Sequence, residues 1–236
     1  FIWLGPEVDR LQGWVFAVAV LPLIVSLFLA AWVMGRLDRT RILGIRRTAV
    51  AEGLEFVYPV DASMQGHLQP HMETLGPRFG LANGVQGLKW VAFSSDVLVF
   101  EHEFTTGSGK TTQVHTRTVA AWPATAPLPK AKMAEDPMLW MLRPRLGETR
   151  LYAKTHGPEF QIGVDAFDRQ WLLYGSQETA ANFLDEATRD RLVRSPKGET
   201  WMVGGGWCAA SYPGPIDEAN LGHFLHHARA ALGAPG

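Results

Sequence analysis

Cysteine is nearly missing from this sequence: Cys208 stands alone among 236 residues. One thiol cannot close an internal disulfide, and a zinc site here would have to be built mainly from histidines. A lone thiol fits a reducing compartment, and as a small apolar group it is expected in a core. Net charge is nearly missing too. Lysine and arginine number 22 against 23 acidic residues, leaving −1. No basic surplus is present to hold a nucleic-acid backbone, so nucleic acid is not expected as a partner. Also lacking are a nucleophile-elbow serine and an H-E-x-x-H zinc motif, and neither Ser211 nor Cys208 has a local signature of a nucleophile. The chain is expected not to be an enzyme, with no catalytic residue, no metal site and no cofactor.

Charge is absent altogether from one long stretch. Gly13 to Gly35 reads GWVFAVAVLPLIVSLFLAAWVMG. As a helix it would be about 35 Å long, enough to cross a hydrocarbon layer of about 30 Å. Trp14 and Trp32 lie near its two ends, where indole rings favour the interface, and Pro22 falls mid-span. A cleaved signal peptide would carry positive charge first, then a shorter apolar core and small residues. Here Glu7, Asp9 and Arg10 precede the run and a basic cluster follows it. An uncleaved single-span anchor is therefore expected, and with Phe1 in place of a methionine a few further residues are expected upstream.

The flanks set the orientation. Arg36, Arg39, Arg41, Arg46 and Arg47 follow the run with only Asp38 among them, against one arginine before it. The positive-inside rule puts the C-terminal side in the cytoplasm. The arginines can also rest on anionic headgroups, at about 1 kcal/mol each near the surface. The expected organisation is an outer tail over 1–12, a membrane helix over 13–35, a basic juxtamembrane helix over 36–53 and a cytoplasmic domain over 54–236. The residues expected to touch bilayer or partner subunits are Trp14, Phe16, Phe28 and Trp32 with the five arginines.

The domain reads as α+β. Strands are expected at Leu54–Val60, Lys89–Ser94, Val97–Phe104 and Gln113–Ala121, with a short helix or turn at His71–Leu75 between Pro70 and Pro77. TTGSGK between the third and fourth of these strands has turn composition, so they form a hairpin. One register sets Glu101 against Arg117 and Glu103 against His115; a one-residue slip sets His102 against His115. Trp122–Pro137 carries Pro123, Pro127, Pro129 and Pro137 and reads as an extended connector, followed by a helical turn at Met138–Leu142. The last third orders as ββαββα: strands at Phe160–Val164 and Gln170–Tyr174, a helix from Ser176 to Val193, strands at Trp201–Val203 and Trp207–Ser211, and a helix over Pro215–Leu232. Hairpin-length links make the sheet antiparallel, with the helices expected over one face.

Several strings tempt a chemical reading. GSGKTT, Gly107 to Thr112, resembles the end of a phosphate-binding loop, but Phe104 stands where that loop needs glycine and the following TQVHTRTVAAW alternates like a strand. His67 and His71 are four apart around Pro70, and His223, His226 and His227 share a helical face. Both groups can hold metal, and both read more simply as interfacial or solvated. Glu101 and Glu103 read as a solvated sheet face, Asp165 and Asp168 as a second carboxylate pair, and Gly204–Gly206 as a turn.

The order of an apolar helix, RRTAVAEGLEFVYP, a hairpin and a linker such as AWPATAPLP resembles small bacterial single-span proteins with a domain of unknown function. That resemblance implies a bacterial inner membrane and no activity. In architecture alone the chain is similar to the H subunit of purple-bacterial photosynthetic reaction centres, which has a short outer tail, one helix and a sheet-rich cytoplasmic domain. The expected role is an accessory subunit of a photosynthetic or respiratory membrane complex. The alternative is a membrane-tethered ligand-binding or enzymatic domain.

Overall fold

The computed structural model describes residues 21–79, 84–106, 112–123, 140–144, 159–175, 177, 180–181, 184–194, 199–204 and 207–232. Contacts divide the chain after Gly44. Up to Gly44 the described part is helical. It belongs to α1, Leu21–Ala51, which contains a window of mean hydropathy 1.6 with no buried residue. This is the helix in the described chain that is long and apolar enough to cross a membrane. Trp14 and Phe16 of the expected span lie outside the described residues.

From Ile45 onward the chain is an α+β domain, as expected. Its strands are β1 Glu55–Val57, β2 Leu88–Phe93, β3 Leu98–Thr106, β4 Gln113–Pro123, β5 Trp140–Pro144, β6 Glu159–Phe160, β7 Trp171–Gly175, β8 Thr200–Gly204 and β9 Trp207–Pro213. They form one sheet in the order β1-β2-β3-β4-β9-β8-β5-β7-β6, antiparallel at every pairing. The helices are α2 Ala62–Phe79, the short α3 Asp165–Asp168, α4 Glu186–Val193 and α5 Glu218–Leu232. The C-terminal ββαββα order stands, as β6, β7, α4, β8, β9 and α5, with the four-residue α3 between β6 and β7.

The helices cover both faces of the sheet, where one was expected. Leu68, Met72 and Leu75 of α2 pack on Leu98, Phe100 and Val119. The opposite face carries Trp201 and Tyr212, and there α5 lays His227 and Phe224 edge-on against them at 5.6 and 5.9 Å. The end of α1 is tied to α5: Arg47 pairs with Glu218 at 2.9 Å, and Arg229 with Glu52 at 2.8 Å. Trp90, Trp122 and Trp201 all lie on this second face, and its cover leaves them fully buried.

Four local expectations give way. Pro70 and Pro77 do not confine a short helix; they sit inside the 18-residue α2. Asp61 caps it, accepting from the Met64 amide at 2.8 Å, and the buried Leu68, Met72 and Leu75 hold it against the sheet. The hairpin register is neither of the two expected. Glu101 faces Thr118, His102 faces Arg117 and Phe104 faces His115. This register puts Leu98 opposite Ala121 and Phe100 opposite Val119, all under α2, and a one-residue slip would turn one strand's apolar set away. Met138–Leu142 is not a helical turn: Trp140–Leu142 form strand, bridging β7 and β8. The helix expected from Ser176 restarts at Glu186, because Asp185 is extended (φ −62°, ψ 169°) and caps the Thr188 amide at 2.7 Å. Ser176 and residues 124–139 lie outside the described residues.

Candidate functional site

A cleft of about 420 Å³ lies between α2 and the β2–β3 turn. Its position follows from the sequence around it. Asp61 starts α2 at one end. Along the helix, positions 64, 67, 68 and 71 fall on one face, so Met64, His67, Leu68 and His71 look into the cleft. Across from them the chain reverses between β2 and β3. The Asp96 amide donates to Ser94 Oγ at 3.3 Å, and the Ser95 hydroxyl donates to Asp96 Oδ2 at 2.9 Å. Phe93, Val97 and Leu98 supply the apolar side of this wall, and Pro123 and Trp207 close it from β4 and β9.

The cleft is therefore apolar inside and polar at its exposed rim. Met64, Phe93 and Trp207 are only half-buried, while Leu68, Val97 and Leu98 are buried. His71 stands edge-on to the Trp207 indole, with centroids 5.1 Å apart. His67 donates from Nδ1 to the Ser63 carbonyl oxygen at 2.9 Å, which leaves Nε2 as the lone-pair nitrogen of the neutral ring. The two histidines that sequence spacing singled out thus reach one cavity. Its other walls come from four separate strands and the β2–β3 turn, and no local pattern announces them.

A second constellation lies on the opposite face of the sheet. Glu199, at the head of β8, is 1% exposed, and its Oε2 has no hydrogen-bond partner. His227 Nε2 is 3.8 Å away, too far for a hydrogen bond. Burial pushes the Glu199 carboxyl up to about 8. Burial, then the nearby His223, His226 and Arg191, pull the His227 imidazole down. Both shifts favour uncharged forms. At neutral pH this is a carboxylic acid facing a neutral imidazole, and the short approach is not an ion pair. His223 stacks on His227 with centroids 6.3 Å apart, and His226 is exposed. Glu199 drew no notice in the sequence, because a glutamate between a lysine-glycine pair and a tryptophan strand reads as surface.

The other flagged residues resolve individually. Glu101 is fully buried, so the expectation of a solvated face fails there: helices cover that side of the sheet. Glu103 pairs with Lys89 at 2.7 Å. His102, also buried, donates from Nε2 to the Gly84 carbonyl oxygen at 2.7 Å, and burial pulls its imidazole down. Asp168 is structural, accepting from the amides of Ile162, Gly163 and Val164. Cys208 is buried and its thiol is pushed up to about 12, so it packs as an inert apolar group. The GSGKTT stretch joins β3 to β4, and a strand follows where a phosphate loop needs a helix. Among the described residues no three His, Cys, Asp or Glu side chains gather as a metal site.

Of the anchor residues, Phe28 and Trp32 are exposed, and Arg36 lies 5.5 Å over the Trp32 ring. Arg41 bonds Asp38 at 3.1 Å, and Arg39 and Arg46 are exposed. Arg47 is committed to Glu218 within the domain.

No protein-family model matches the chain, and no curated protein matches it. Among solved structures it is similar to the crystal structure of the mycobacterial trehalose monomycolate transport factor A, TtfA, at 12% identity and a TM-score of 0.42, over 81% of this chain and 90% of that one.

Proposed function

We propose that this chain is a non-enzymatic accessory subunit of a multi-subunit membrane complex. It is held by α1, with its α+β domain docked on the cytoplasmic side of partner subunits. The observation that carries this reading is the uncovered apolar surface of α1. Leu23, Leu27, Phe28 and Trp32 are each at least 60% exposed, and no residue of the apolar window is buried by the chain itself. Such a surface is stable in lipid or against neighbouring helices. The arginines after the span favour a cytoplasmic domain. A bacterial inner membrane is the setting that the sequence resemblance supports.

Purification in mild detergent tests the role. Partner subunits should co-purify in fixed ratio, and bound pigments or haems would identify a photosynthetic or respiratory setting. Recovery of the chain alone, as a stable monomer, sinks the proposal.

A second reading, a tethered ligand-binding domain, draws on the cleft under α2. A small-molecule site of this type has an apolar lining and a few convergent polar groups, and typical volumes run from about 300 to 1,000 Å³.

A further inference from the structure

The cleft under α2 has a chemistry that docking on partner subunits does not use. Its floor is Leu68, Val97 and Leu98, and its half-open walls are Met64, Phe93 and Trp207. The rim is lined by His67, His71, Ser94, Ser95 and Asp96, which offer both acceptors and donors. Asp96 gives one carboxylate oxygen to the Ser95 hydroxyl and keeps Oδ1 for a further donor. His67 offers Nε2 as an acceptor, since its Nδ1 is already spent on the Ser63 carbonyl. Acceptors and donors at the mouth of an apolar trough call for a ligand with an apolar tail and a head that both donates and accepts, as hydroxyls do. The Asp96 carboxylate at the same mouth repels an anionic head.

We propose that this cleft binds the acyl chain of a single-chain amphiphile with a neutral, hydroxyl-bearing head, of the monoacylglycerol type, drawn from the bilayer that holds α1. The inference rests on the anchoring part of the functional reading and not on the partner subunits. An anchored domain is confined by its own chain to the neighbourhood of a bilayer, where amphiphiles are the abundant apolar solutes. The tail covers Leu68, Val97 and Leu98 and meets the Trp207 indole. The head hydroxyls donate to Asp96 Oδ1 and His67 Nε2. Fatty-acid anions and phosphate-headed lipids are disfavoured by the carboxylate.

The test uses the full chain in phosphatidylcholine nanodiscs with monolauroylglycerol carrying a photoreactive diazirine at its tail end. After irradiation, adducts are mapped by mass spectrometry. They are expected on peptides containing Met64–His71 and Phe93–Leu98. Unlabelled monolauroylglycerol should compete and laurate should not. Met64→Trp fills the cleft and should cut the adducts by about tenfold. Adducts confined to α1, or undiminished in a Met64→Trp protein with an unchanged melting midpoint, overturn the proposal. Should Met64→Trp fail to fold, Asp96→Asn in the exposed turn serves instead. Laurate should then compete, and unaltered selectivity overturns the assignment of the head group. Partner co-purification is scored on the same preparation before reconstitution. Partners without adducts refute the cleft ligand alone, and adducts without partners refute the accessory role alone.

Discussion

Glu199 enters the core as a carboxyl that water cannot reach and that no donor satisfies on Oε2. Its folded pKa, about 8 against an ordinary 4.5, means that the folded chain holds this proton more tightly than the unfolded chain. The stabilising contribution is therefore complete below about 4.5 and is lost as pH rises through 8, a loss on the order of a few kcal/mol. His227 works in the opposite sense: its lowered pKa removes stability as pH falls below its ordinary 6.5. Melting midpoints of the full chain at pH 7 and pH 9 should fall with pH, and Glu199→Gln should flatten that slope. An unchanged slope would show that the carboxyl is not protonated in the fold. Gly87 gives a second test. A β-carbon there would run into the Glu103 carbonyl oxygen and the His102 ring. Gly87→Ala should cost about 1–3 kcal/mol by overpacking, read as a lower melting midpoint. Neither site was legible in the sequence, since burial at Glu199 and at Gly87 is set by elements distant in the chain.

At the level of elements, legibility followed range. The β3–β4 hairpin and the α5 helix were readable because alternation, turn composition and the acidic start at Asp217 and Glu218 are local signals. The register was not. Charge pairing across the hairpin is worth a few tenths of a kcal/mol to about 1 kcal/mol, and burial of Leu98, Phe100 and Phe104 under α2 outweighs it. Pro70 misled for the same reason: packing of Leu68, Met72 and Leu75 overrides the cost of a proline inside a helix. Of the cleft, the sequence exposed only the paired histidines. The start of α4 offers a clean check. Asp185→Ala removes the acceptor for the Thr188 amide and should lower stability by about 1 kcal/mol, while Asp185→Asn should retain most of it. Hydrogen exchange at Thr188 should accelerate in the alanine variant alone.

For the molecule as a whole, the strand order carries what no local pattern holds. β4 pairs with β9 across some 90 residues of chain, and β5 is set between β7 and β8. The long apolar helix, by contrast, was readable at once, because an uncharged apolar run is a local signal. An alkaline carbonate wash should leave the chain in the membrane fraction, and protease added outside intact spheroplasts should leave the domain uncut. Digestion from outside would reverse the orientation. The ends of the sheet have a consequence of their own. Among the described residues its two outer strands are β1, three residues long, and β6, two residues long. Held in a bilayer by α1, as proposed, the chain would meet its own copies in two dimensions, at surface densities that favour strand-to-strand adhesion. Edges this short give an approaching copy almost no ladder to extend, so crowding on the membrane need not end in aggregation.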